Sequence, residues 1–473
     1  MHTTSPALLE QYFSQQRQAF AAQPYPSLEV RLSRLERLQA LTETQENAII
    51  QAIDEDFAGR SSHETRLAEL FVVRAGIKYA RAHLKHWMRS RRIATAAHFW
   101  PGQNRLHAQP LGVVGIMSPW NYPCQLALGP ALAALSAGNR VLIKPSELTP
   151  HFSALLQQLI ADAFNPDEVS VITGNTDVGR TFARLPFDHL FFTGSTAVGR
   201  QVAQAAACNL TPVTLELGGK SPAIMDYSCD LATTIPRLAF GKLLNAGQTC
   251  VAPDYLLVPA GQAETVAALL SRTITKFYPD LQNNPDYTAI ISPAHHARLI
   301  AMLADAREKG ARIVEINTSG KNADMASRKL PPTLVLGATF SMRLMQEEIF
   351  GPILPIIEYK NLEQAISRIQ QGERPLALYW FGRDGKKRQE IIQQTISGSV
   401  CINDCLWQLA QEGQPFGGVG ASGMGAYHGE WGFNTFSKLK PVFHQAHWSG
   451  TSFFHPPYGK KFDSLLKLLR YIA

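Results

Sequence analysis

The loop GQTC (residues 247–250) holds Cys250, the residue best placed in this sequence for covalent chemistry. A cysteine in a glycine-containing loop, after a predicted helix and before a predicted strand, is suitably placed for a nucleophile. The alternative, an inert packed cysteine, applies equally to the other cysteines. These are Cys124, Cys208, Cys229, Cys401 and Cys405. Cys401 and Cys405 share a CxxxC spacing, but no nearby His/Cys pair completes a tetrahedral set, so we predict no metal site.

Two polar side chains occur in apolar surroundings. Glu216 lies inside the otherwise apolar segment TLELGG, where burial would raise the carboxyl pKa and make it a candidate general base. The alternative is a Glu216 that pairs with Lys220 or with backbone amides. Asn121, in MSPWNYP, follows a predicted strand and lies between prolines, so its amide is a candidate donor to an oxyanion. A turn asparagine is the alternative there.

The segment FFTGSTAVGR (191–200) predicts a strand that ends at Gly194 and a helix that begins at Ser195 and contains Gly199. Free N–H groups at a helix N-terminus bind phosphate, and glycine lets a ligand approach the backbone. The spacing is not the GxGxxG dinucleotide fingerprint, so an ordinary tight turn is an equal interpretation. A second turn, EEIFGP (347–352), brings glutamates beside an aromatic residue, and a charged surface turn is its default interpretation.

Strands and helices that alternate from residue 111 onward would position these residues. Residues 5–90 instead predict helices, because leucines recur there at helical spacing. A further helix covers 126–138, where Gly138 is placed to end it. Repeated strand–helix units predict an α/β fold with two successive, doubly wound domains. The predicted strands cover residues 111–117, 140–144, 169–173, 188–194, 212–219, 221–225, 255–260, 311–316 and 352–359.

Composition excludes several classes of protein. Of 473 residues, 45% are hydrophobic and 18% charged, which is typical of a globular chain and not of disorder. Six cysteines are too few for a disulfide framework at this length. The net charge of +7 is spread along the chain, so we predict no nucleic-acid partner.

No part of the sequence predicts an integral membrane segment. Residues 106–139 carry no Asp, Glu, Lys or Arg, but their prolines and glycines argue against one lipid-facing helix. The N-terminus lacks the pattern of a secretory signal, and we expect a cytoplasmic protein. The ending GKKFDSLLKLLRYIA predicts a basic, mildly amphipathic helix that is docked or frayed, with membrane-surface attachment as the alternative.

A set of motifs occurs in order over residues 110–430: SPWNYP, KPSE, FTGSTAVGR, TLELGGKSP, GQTC, EEIFGP and PFGGVGASGMGAYHG. The set resembles the NAD(P)-dependent aldehyde dehydrogenase superfamily, and the chain length suits one whole member. SGMGAYHG and NLTPVTLELGGKSP are similar to the class 3, fatty-aldehyde branch. The ending FSKLKPVFHQAHW is most similar to the bacterial coniferyl aldehyde dehydrogenase group.

The resemblance implies a role for each matching residue. Cys250 would be the nucleophile, Glu216 the general base and Asn121 the oxyanion donor, and Tyr122 would flank the aldehyde tunnel. The implied cofactor is NAD, because Glu147 would clash with a 2′-phosphate, although class 3 relatives also accept NADP. The residues implied to bind it are Trp120, Lys144, Glu147, Gly194, Ser195, Gly199, Gly218, Glu348 and Phe350.

The resemblance also implies a domain organisation. An NAD-binding domain would comprise residues 1–88 and 109–218, and a catalytic domain would comprise 219–415. Residues 89–108 and 416–450 would form a small β element through which the chain makes a homodimer. A C-terminal tail, 451–473, would follow.

The implied activity is oxidation of an aldehyde to the carboxylic acid through a cysteine thiohemiacetal and a thioester. The substrate would be an aromatic aldehyde such as coniferyl aldehyde, or a medium- or long-chain aliphatic aldehyde. Tyr122, Trp120 and Trp407 are candidates for aromatic walls. One alternative is a CoA-acylating or phosphorylating semialdehyde dehydrogenase, a class that tends to lose the water-activating glutamate. The other is a non-catalytic family member that acts as a binding protein.

Overall fold

The computed structural model describes residues 3–318 and 327–472, and the strands within these ranges form three sheets. In chain order the strands are β1 (Arg91–Ile93), β2 (Gln103–Pro110), β3 (Val113–Met117), β4 (Arg140–Lys144), β5 (Val169–Val171), β6 (His189–Thr193), β7 (Val213–Glu216), β8 (Pro222–Met225), β9 (Tyr255–Pro259), β10 (Arg312–Glu315), β11 (Thr333–Leu336), β12 (Ile353–Tyr359), β13 (Ala377–Phe381), β14 (Ser399–Ile402), β15 (Gly423–Met424) and β16 (Ser437–His444).

The α-helices of the same ranges cover the sheets and connect the parallel strands. In chain order they are α1 (Pro6–Ala22), α2 (Leu28–Thr44), α3 (Glu46–Phe57), α4 (Ser62–Thr65), α5 (Val72–Trp87), α6 (Gln125–Ala137), α7 (Pro150–Ala163), α8 (Thr176–Ala183), α9 (Thr196–Ala207), α10 (Leu231–Leu243), α11 (Ala263–Phe277), α12 (Pro293–Glu308), α13 (Arg343–Gln346), α14 (Leu362–Gln371), α15 (Gly385–Gln394), α16 (Gly429–Thr435) and α17 (Lys460–Ile472).

The first sheet has the strand order β15-β7-β6-β3-β4-β5 and is parallel apart from its edge strand β15. Strands β4 and β6 are buried along their whole length. Parallel strands covered on both faces read as near-continuous apolar runs, which is why VLI and LFF appear in them. The edge pairing sets Gly423 opposite Glu216, so a segment far along the chain closes the sheet beside the candidate base.

The second sheet has the order β10-β11-β12-β9-β8-β13-β14, with β10 antiparallel at one edge. Two mostly parallel sheets, each with helical connections, confirm the predicted α/β class with two Rossmann-like domains. The sequence prediction did not name β11, β13 or β14. Strand β13 (ALYWF) is wholly buried, and an apolar run of this length is hard to distinguish from a buried helix by periodicity.

A glycine with positive φ follows the end of one predicted strand and of one predicted helix. The predicted strand 212–219 stops at Glu216, and Gly219 takes a φ of +145°, a backbone conformation that suits glycine. The predicted helix 126–138 runs from Gln125 to Ala137, and Gly138 closes it with a φ of +94° as expected.

The third sheet is small and antiparallel, with the order β1-β2-β16. Strand β16 pairs with β2 from Ser437 opposite Pro110 to His444 opposite Gln103. This sheet matches the predicted β element in kind. Ile93 and Phe443 of this sheet are exposed, as is Trp100 in the connection between β1 and β2.

The helices of the protein were compared with the length and apolarity that a membrane-spanning helix needs. No helix in residues 3–318 or 327–472 is long and apolar enough to cross a bilayer. The uncharged stretch 106–139 instead comprises the end of β2, strand β3, a turn and helix α6. The C-terminal helix α17 leaves Leu466 and Leu468 exposed.

Candidate active site

Two cavities meet near the carboxyl ends of the first sheet. The larger, of about 780 Å³, is lined by residues that follow β3, β6 and β7 and by the segment 345–350 that precedes β12. Ligands of open α/β sheets bind at this end of the strands. Among the lining residues are the predicted Trp120, Asn121, Gly194, Ser195, Glu216, Gly218, Cys250, Glu348 and Phe350.

The smaller cavity, of about 90 Å³, is a tunnel with apolar and aromatic walls. Its walls come from segments far apart in the chain, which explains why no single motif marks it. Phe240 of α10 stacks on Trp407, with ring centroids 6.2 Å apart and planes 13° apart. Tyr122 lines the tunnel as predicted, together with Leu67, Phe71, Leu126 and Phe416.

Cys250 lines both cavities, together with Leu126. The loop before it is unusual, because Asn245, Ala246 and Gly247 all take positive φ, at 55°, 51° and 74°. Such conformations are costly for residues with side chains and cluster at functional sites. A Cβ on Gly247 would lie 2.4 Å from the Gly351 carbonyl oxygen, so this tight loop requires glycine there.

The Cys250 thiol is protonated at neutral pH in this state. Burial raises its pKa to about 12, and the nearby carboxyl groups of Glu348 and Glu216 contribute to the rise. A thiolate is the nucleophilic form of cysteine, so the reaction requires a group that accepts the proton. Both neighbouring carboxyl groups are chemically able to do so.

Glu216 ends strand β7 as a buried carboxyl group. Neither of its oxygens has a hydrogen-bond partner within the described ranges, and burial raises its pKa well above the ordinary value. The alternative, a pair with Lys220, is wrong, because Lys220 instead contacts Asp254 and donates to the Leu344 carbonyl oxygen at 2.7 Å. An unpaired buried carboxyl group beside a cysteine is suited to general base chemistry.

Asn121 is not a simple turn residue, because its side chain reaches the loop that carries Cys250. Its amide Nδ2 donates to the Gln248 carbonyl oxygen at 3.1 Å. The same amide carries a second hydrogen, and the residue also lines the larger cavity. The neighbouring Tyr122 hydroxyl lies 2.7 Å from the Thr249 hydroxyl, so both residues brace the loop.

Glu348 and Phe350 form the opposite wall of the larger cavity. Burial, and then the charge of Asp254, raises the pKa of Glu348 to about 8. Phe350 takes a φ of 51°, and its ring centroid lies 5.4 Å from that of Trp120. A Cβ on Gly218 would lie 2.1 Å from a Glu348 carboxyl oxygen, so only glycine leaves the carboxyl group room.

The turn after β6 provides the start of a helix. Ser195 is the N-cap of α9, and its Oγ accepts from the Val198 N–H at 3.4 Å. Gly194 and Ser195 line the larger cavity. Gly199 does not: a Cβ there would lie 2.7 Å from the Leu217 side chain, so this glycine lets α9 pack closely on β7.

Lys144 and Glu147 lie apart from the residues that line the larger cavity. The Lys144 Nζ is 3.0 Å from a Glu147 carboxyl oxygen, and Lys144 is buried at the end of β4. Burial acts to raise the pKa of Glu147, but Lys144, the backbone and Thr176 together outweigh it and hold the pKa below its usual value. Glu147 therefore carries a negative charge at neutral pH.

Several lining residues had no signal in the sequence. Arg298 of α12 lines the larger cavity and donates to the Glu348 carbonyl oxygen at 3.1 Å. Phe71 and Phe240 line the tunnel from helical segments, where an aromatic residue is ordinarily assigned to the core. Helical spacing was their only pattern, and it cannot distinguish a core side chain from a tunnel wall.

The residues of the larger cavity fit a dinucleotide. Gly194 and Gly218 keep the backbone open at two strand ends, and α9 directs free N–H groups toward the cavity from its first turn. Glu348 has no cation within salt-bridge distance among the residues that the structure describes, so its carboxyl group suits a ribose hydroxyl. Within the described ranges no group of three His, Cys, Asp or Glu could hold a metal ion, and absence of a metal stays a prediction.

Comparison with known proteins agrees with this arrangement. The model of the aldehyde dehydrogenase family matches residues 1–442. A Pseudomonas aeruginosa protein named probable coniferyl aldehyde dehydrogenase is 50% identical, over 97% of this chain and 95% of that protein. Aldehyde dehydrogenase family 3 member A2 of Pongo abelii is 39% identical, over 90% of this chain and 86% of that protein.

Solved structures share the whole architecture. The substrate-bound Staphylococcus aureus AldH superposes with a TM-score of 0.92 at 38% identity, covering 98% of this chain and 99% of that one. A Mycobacterium tuberculosis aldehyde dehydrogenase complexed with NAD+ gives 0.83 at 28% identity, covering 94% and 91%. These matches confirm the predicted family, its class 3 resemblance and a nicotinamide cofactor. The chain therefore belongs to the aldehyde dehydrogenase family and catalyses NAD(P)-dependent oxidation of an aldehyde to the acid.

Proposed function

We propose that this enzyme oxidises an aromatic, α,β-unsaturated aldehyde of the coniferyl aldehyde type, with NAD as cofactor. The observation that carries the proposal is Cys250, which lines the dinucleotide-sized cavity and the aromatic tunnel at once. The stacked Phe240 and Trp407 in the tunnel suit a flat aromatic ring better than a flexible alkyl chain. The name of the Pseudomonas aeruginosa relative supports the same substrate class.

In the proposed mechanism Cys250 is the nucleophile: a neighbouring carboxylate, Glu216 or Glu348, takes the thiol proton, and the sulfur adds to the aldehyde carbon. The C=O electron pair moves to the oxygen, which gives a thiohemiacetal. The negative charge that develops on the substrate oxygen is stabilised by the Asn121 amide and the Cys250 N–H. A nicotinamide held between Trp120 and Phe350 would supply the hydride acceptor for this carbon. The resulting acyl group stays on the Cys250 sulfur as a thioester, which water must then cleave.

Glu216 is the proposed general base for hydrolysis of this thioester. Its raised pKa lets it accept a proton from water and return it, and no group of the described residues occupies its oxygens by a hydrogen bond. This residue also separates the hydrolytic enzyme from its alternatives, because acylating and phosphorylating semialdehyde dehydrogenases tend to lack it. Retained Cys250, Glu216 and Asn121 likewise argue against a non-catalytic binding protein.

For the cofactor, we propose that Trp120 and Phe350 flank the nicotinamide, Glu348 and Gly218 face its ribose, and Ser195 with α9 holds the pyrophosphate. Gly194 would allow the close approach, and Gly199 would hold α9 against β7. Lys144 and Glu147 would contact the adenosine ribose, as the resemblance implies. The negative Glu147 would repel a 2′-phosphate, which favours NAD over NADP.

The experiment compares wild type with Cys250→Ala, using coniferyl aldehyde and a saturated long-chain aldehyde, each with NAD and NADP. We expect wild type to form NADH fastest with coniferyl aldehyde and NAD, without added phosphate or CoA. Cys250→Ala should form none. Wild-type turnover in that variant would refute the nucleophile, and a preference for the alkyl aldehyde would refute the substrate class.

We also propose a cytoplasmic homodimer with the domains outlined above: 1–88 with 109–218, 219–415, and the bridging element 89–108 with 416–450. The exposed Ile93 and Phe443 of the third sheet, with Trp100 in its β1–β2 connection, support a contact between copies there. Light scattering at micromolar concentration should give the mass of a dimer. A monomer mass would contradict the assembly and leave the catalytic proposal unaffected.

A further inference from the structure

We propose that Arg60 is a positioning residue for the oxyanion amide, and that it acts with the buried Glu69. The inference rests on the proposed role of Asn121. Arg60 lies between α3 and α4, sixty-one residues before Asn121 and outside every motif of the sequence. Its role follows from which groups its guanidinium contacts.

The first contact fixes the main chain of Asn121. Arg60 Nη1 donates to the Asn121 carbonyl oxygen at 2.7 Å. The side-chain Nδ2 of Asn245 donates to the same oxygen at 3.0 Å. A carbonyl oxygen has two lone pairs, so donors from two separate segments saturate it and leave this peptide little freedom.

The second contact anchors the guanidinium. Arg60 Nη2 lies 3.3 Å from a Glu69 carboxyl oxygen, and neither side chain is exposed to solvent. The other Glu69 oxygen accepts from the N–H groups of Cys124 and Gln125 at 2.7 and 3.2 Å. Arg60 and Glu69 therefore hold both ends of the turn 121–125.

The same short region also holds the loop of the nucleophile. A Glu64 carboxyl oxygen accepts from the Asn245 N–H at 3.1 Å and from the Thr288 hydroxyl at 2.8 Å. Asn245 is the first of the three residues with positive φ that precede Cys250. Residues 60–69 thus contact both the main chain of Asn121 and the loop that carries Cys250, the residue on which the oxyanion intermediate would form.

A purely structural role accounts poorly for such a pair. Removing two charges from water is costly, and apolar residues in place of a buried pair often leave stability unchanged or raised. A guanidinium does supply what apolar residues lack, since its planar fork reaches a carboxylate and a carbonyl at once. Misplacement of a reacting group by about 1 Å costs on the order of 10²-fold in rate, so the Asn121 peptide is a sensitive target.

The test uses Arg60→Met/Glu69→Gln, which removes both charges together and keeps an acceptor for the Cys124 and Gln125 amides. We expect kcat for aldehyde oxidation to fall roughly 10- to 100-fold. The affinity for NADH, measured by fluorescence, should stay within about twofold, because neither residue lines the larger cavity. A loss of NADH affinity matching the loss of kcat would show general damage and overturn the inference.

The matched control is Arg34→Met, another buried arginine, whose Nε lies 3.0 Å from a Glu168 carboxyl oxygen and which lines neither cavity. It should keep the kcat of wild type even though it loses stability. If the double variant does not fold, Arg60→Lys decides, because it keeps the charge but loses the planar fork. We expect kcat of Arg60→Lys to fall by less than that of the double variant. A wild-type kcat in Arg60→Lys would overturn the inference.

A cycle with Asn121→Ala separates the two levels of the proposal. If Arg60 acts through Asn121, adding Arg60→Met/Glu69→Gln to Asn121→Ala should lower kcat by less than about threefold. Fully additive losses would overturn the positioning role alone. Wild-type kcat in Asn121→Ala would instead refute the oxyanion role of Asn121, and the positioning role with it.

Discussion

The two cavities that meet at Cys250 are built in different ways. The larger one is shaped mainly by backbone: strand ends, a helix start and glycines at which a Cβ would collide with a neighbour. The tunnel is shaped by side chains, with Phe71, Phe240 and Trp407 arriving from separate segments. A backbone-built site needs particular residues at short spacing, whereas a wall of side chains needs only bulk and apolarity. The larger cavity is therefore tightly encoded in the sequence, and the tunnel is loosely encoded.

The difference also separates the polar groups near Cys250 from the apolar ones. Glu216, Asn121 and Glu348 line the larger cavity and not the tunnel, so the polar groups lie on the side of the larger cavity. The tunnel side contributes apolar contacts and shields Cys250 from water, which helps to raise its pKa. Substitutions on the two sides should therefore affect different kinetic constants.

The largest effect is expected from Glu216→Gln, on the polar side. The first half of the reaction should proceed and give a burst of NADH, while steady-state turnover falls about 10²- to 10⁴-fold for lack of a general base. Mass spectrometry of the intact protein should then detect the acyl group on Cys250. Unchanged turnover with no trapped thioester would contradict the division between the two sides.

Alkylation tests the protonation state of Cys250, the residue that lines both cavities. A pKa raised to about 12 means that the thiol is protonated at neutral pH. As long as the pH stays below the pKa, each increase of one pH unit should raise the thiolate fraction tenfold. Iodoacetamide labelling of the cofactor-free enzyme, followed peptide by peptide, should therefore be about 10²-fold faster at pH 9 than at pH 7. A rate that levels off near pH 7 would show a thiol already ionised.

Gly218→Ala tests the backbone-built side with a single methyl group. Its Cβ would lie 2.1 Å from the Glu348 carboxyl group, which must move away. We expect KM for NAD to rise about tenfold and KM for the aldehyde to stay constant, in steady-state kinetics with each substrate varied. Gly385→Ala is the control, because its Cβ would meet only the Arg388 guanidinium at 3.8 Å.

The smallest effect is expected from Trp407→Ala, on the side-chain-built side. Loss of the Trp407 ring, which stacks on Phe240, removes an aromatic wall of the tunnel. KM for an aromatic aldehyde should rise about three- to tenfold, since a contact between two aromatic rings contributes about 0.5–1.5 kcal/mol. KM for NAD should not change. The exposed Trp448 offers a matched substitution away from both cavities. An equal effect on both KM values would show that the sides are not independent.

The fold was predictable to the extent that its strands are marked by local pattern. Strands β3, β4, β6 and β9 are short apolar runs between turns. For each of them, both predicted ends lie within two residues of the observed ends. Strand β15 was not predictable in this way, because two residues carry no periodic signal. It becomes a strand only because β7 lies beside it in the folded chain.

The sequence by itself determined which candidate reacting groups this protein has and the order in which they occur. A cysteine in a tight glycine-containing loop, a glutamate in an apolar strand and a strand–helix turn each have an ordinary alternative when taken alone. Their occurrence together, in the order of one family, is what marks them. Tertiary structure alone decided that Cys250 lines two cavities, that the Glu216 carboxyl group has no hydrogen-bond partner in the described part of the chain, and that Arg60 contacts Asn121. These depend on distances between segments far apart in the chain, and such distances are set by packing and not by local sequence.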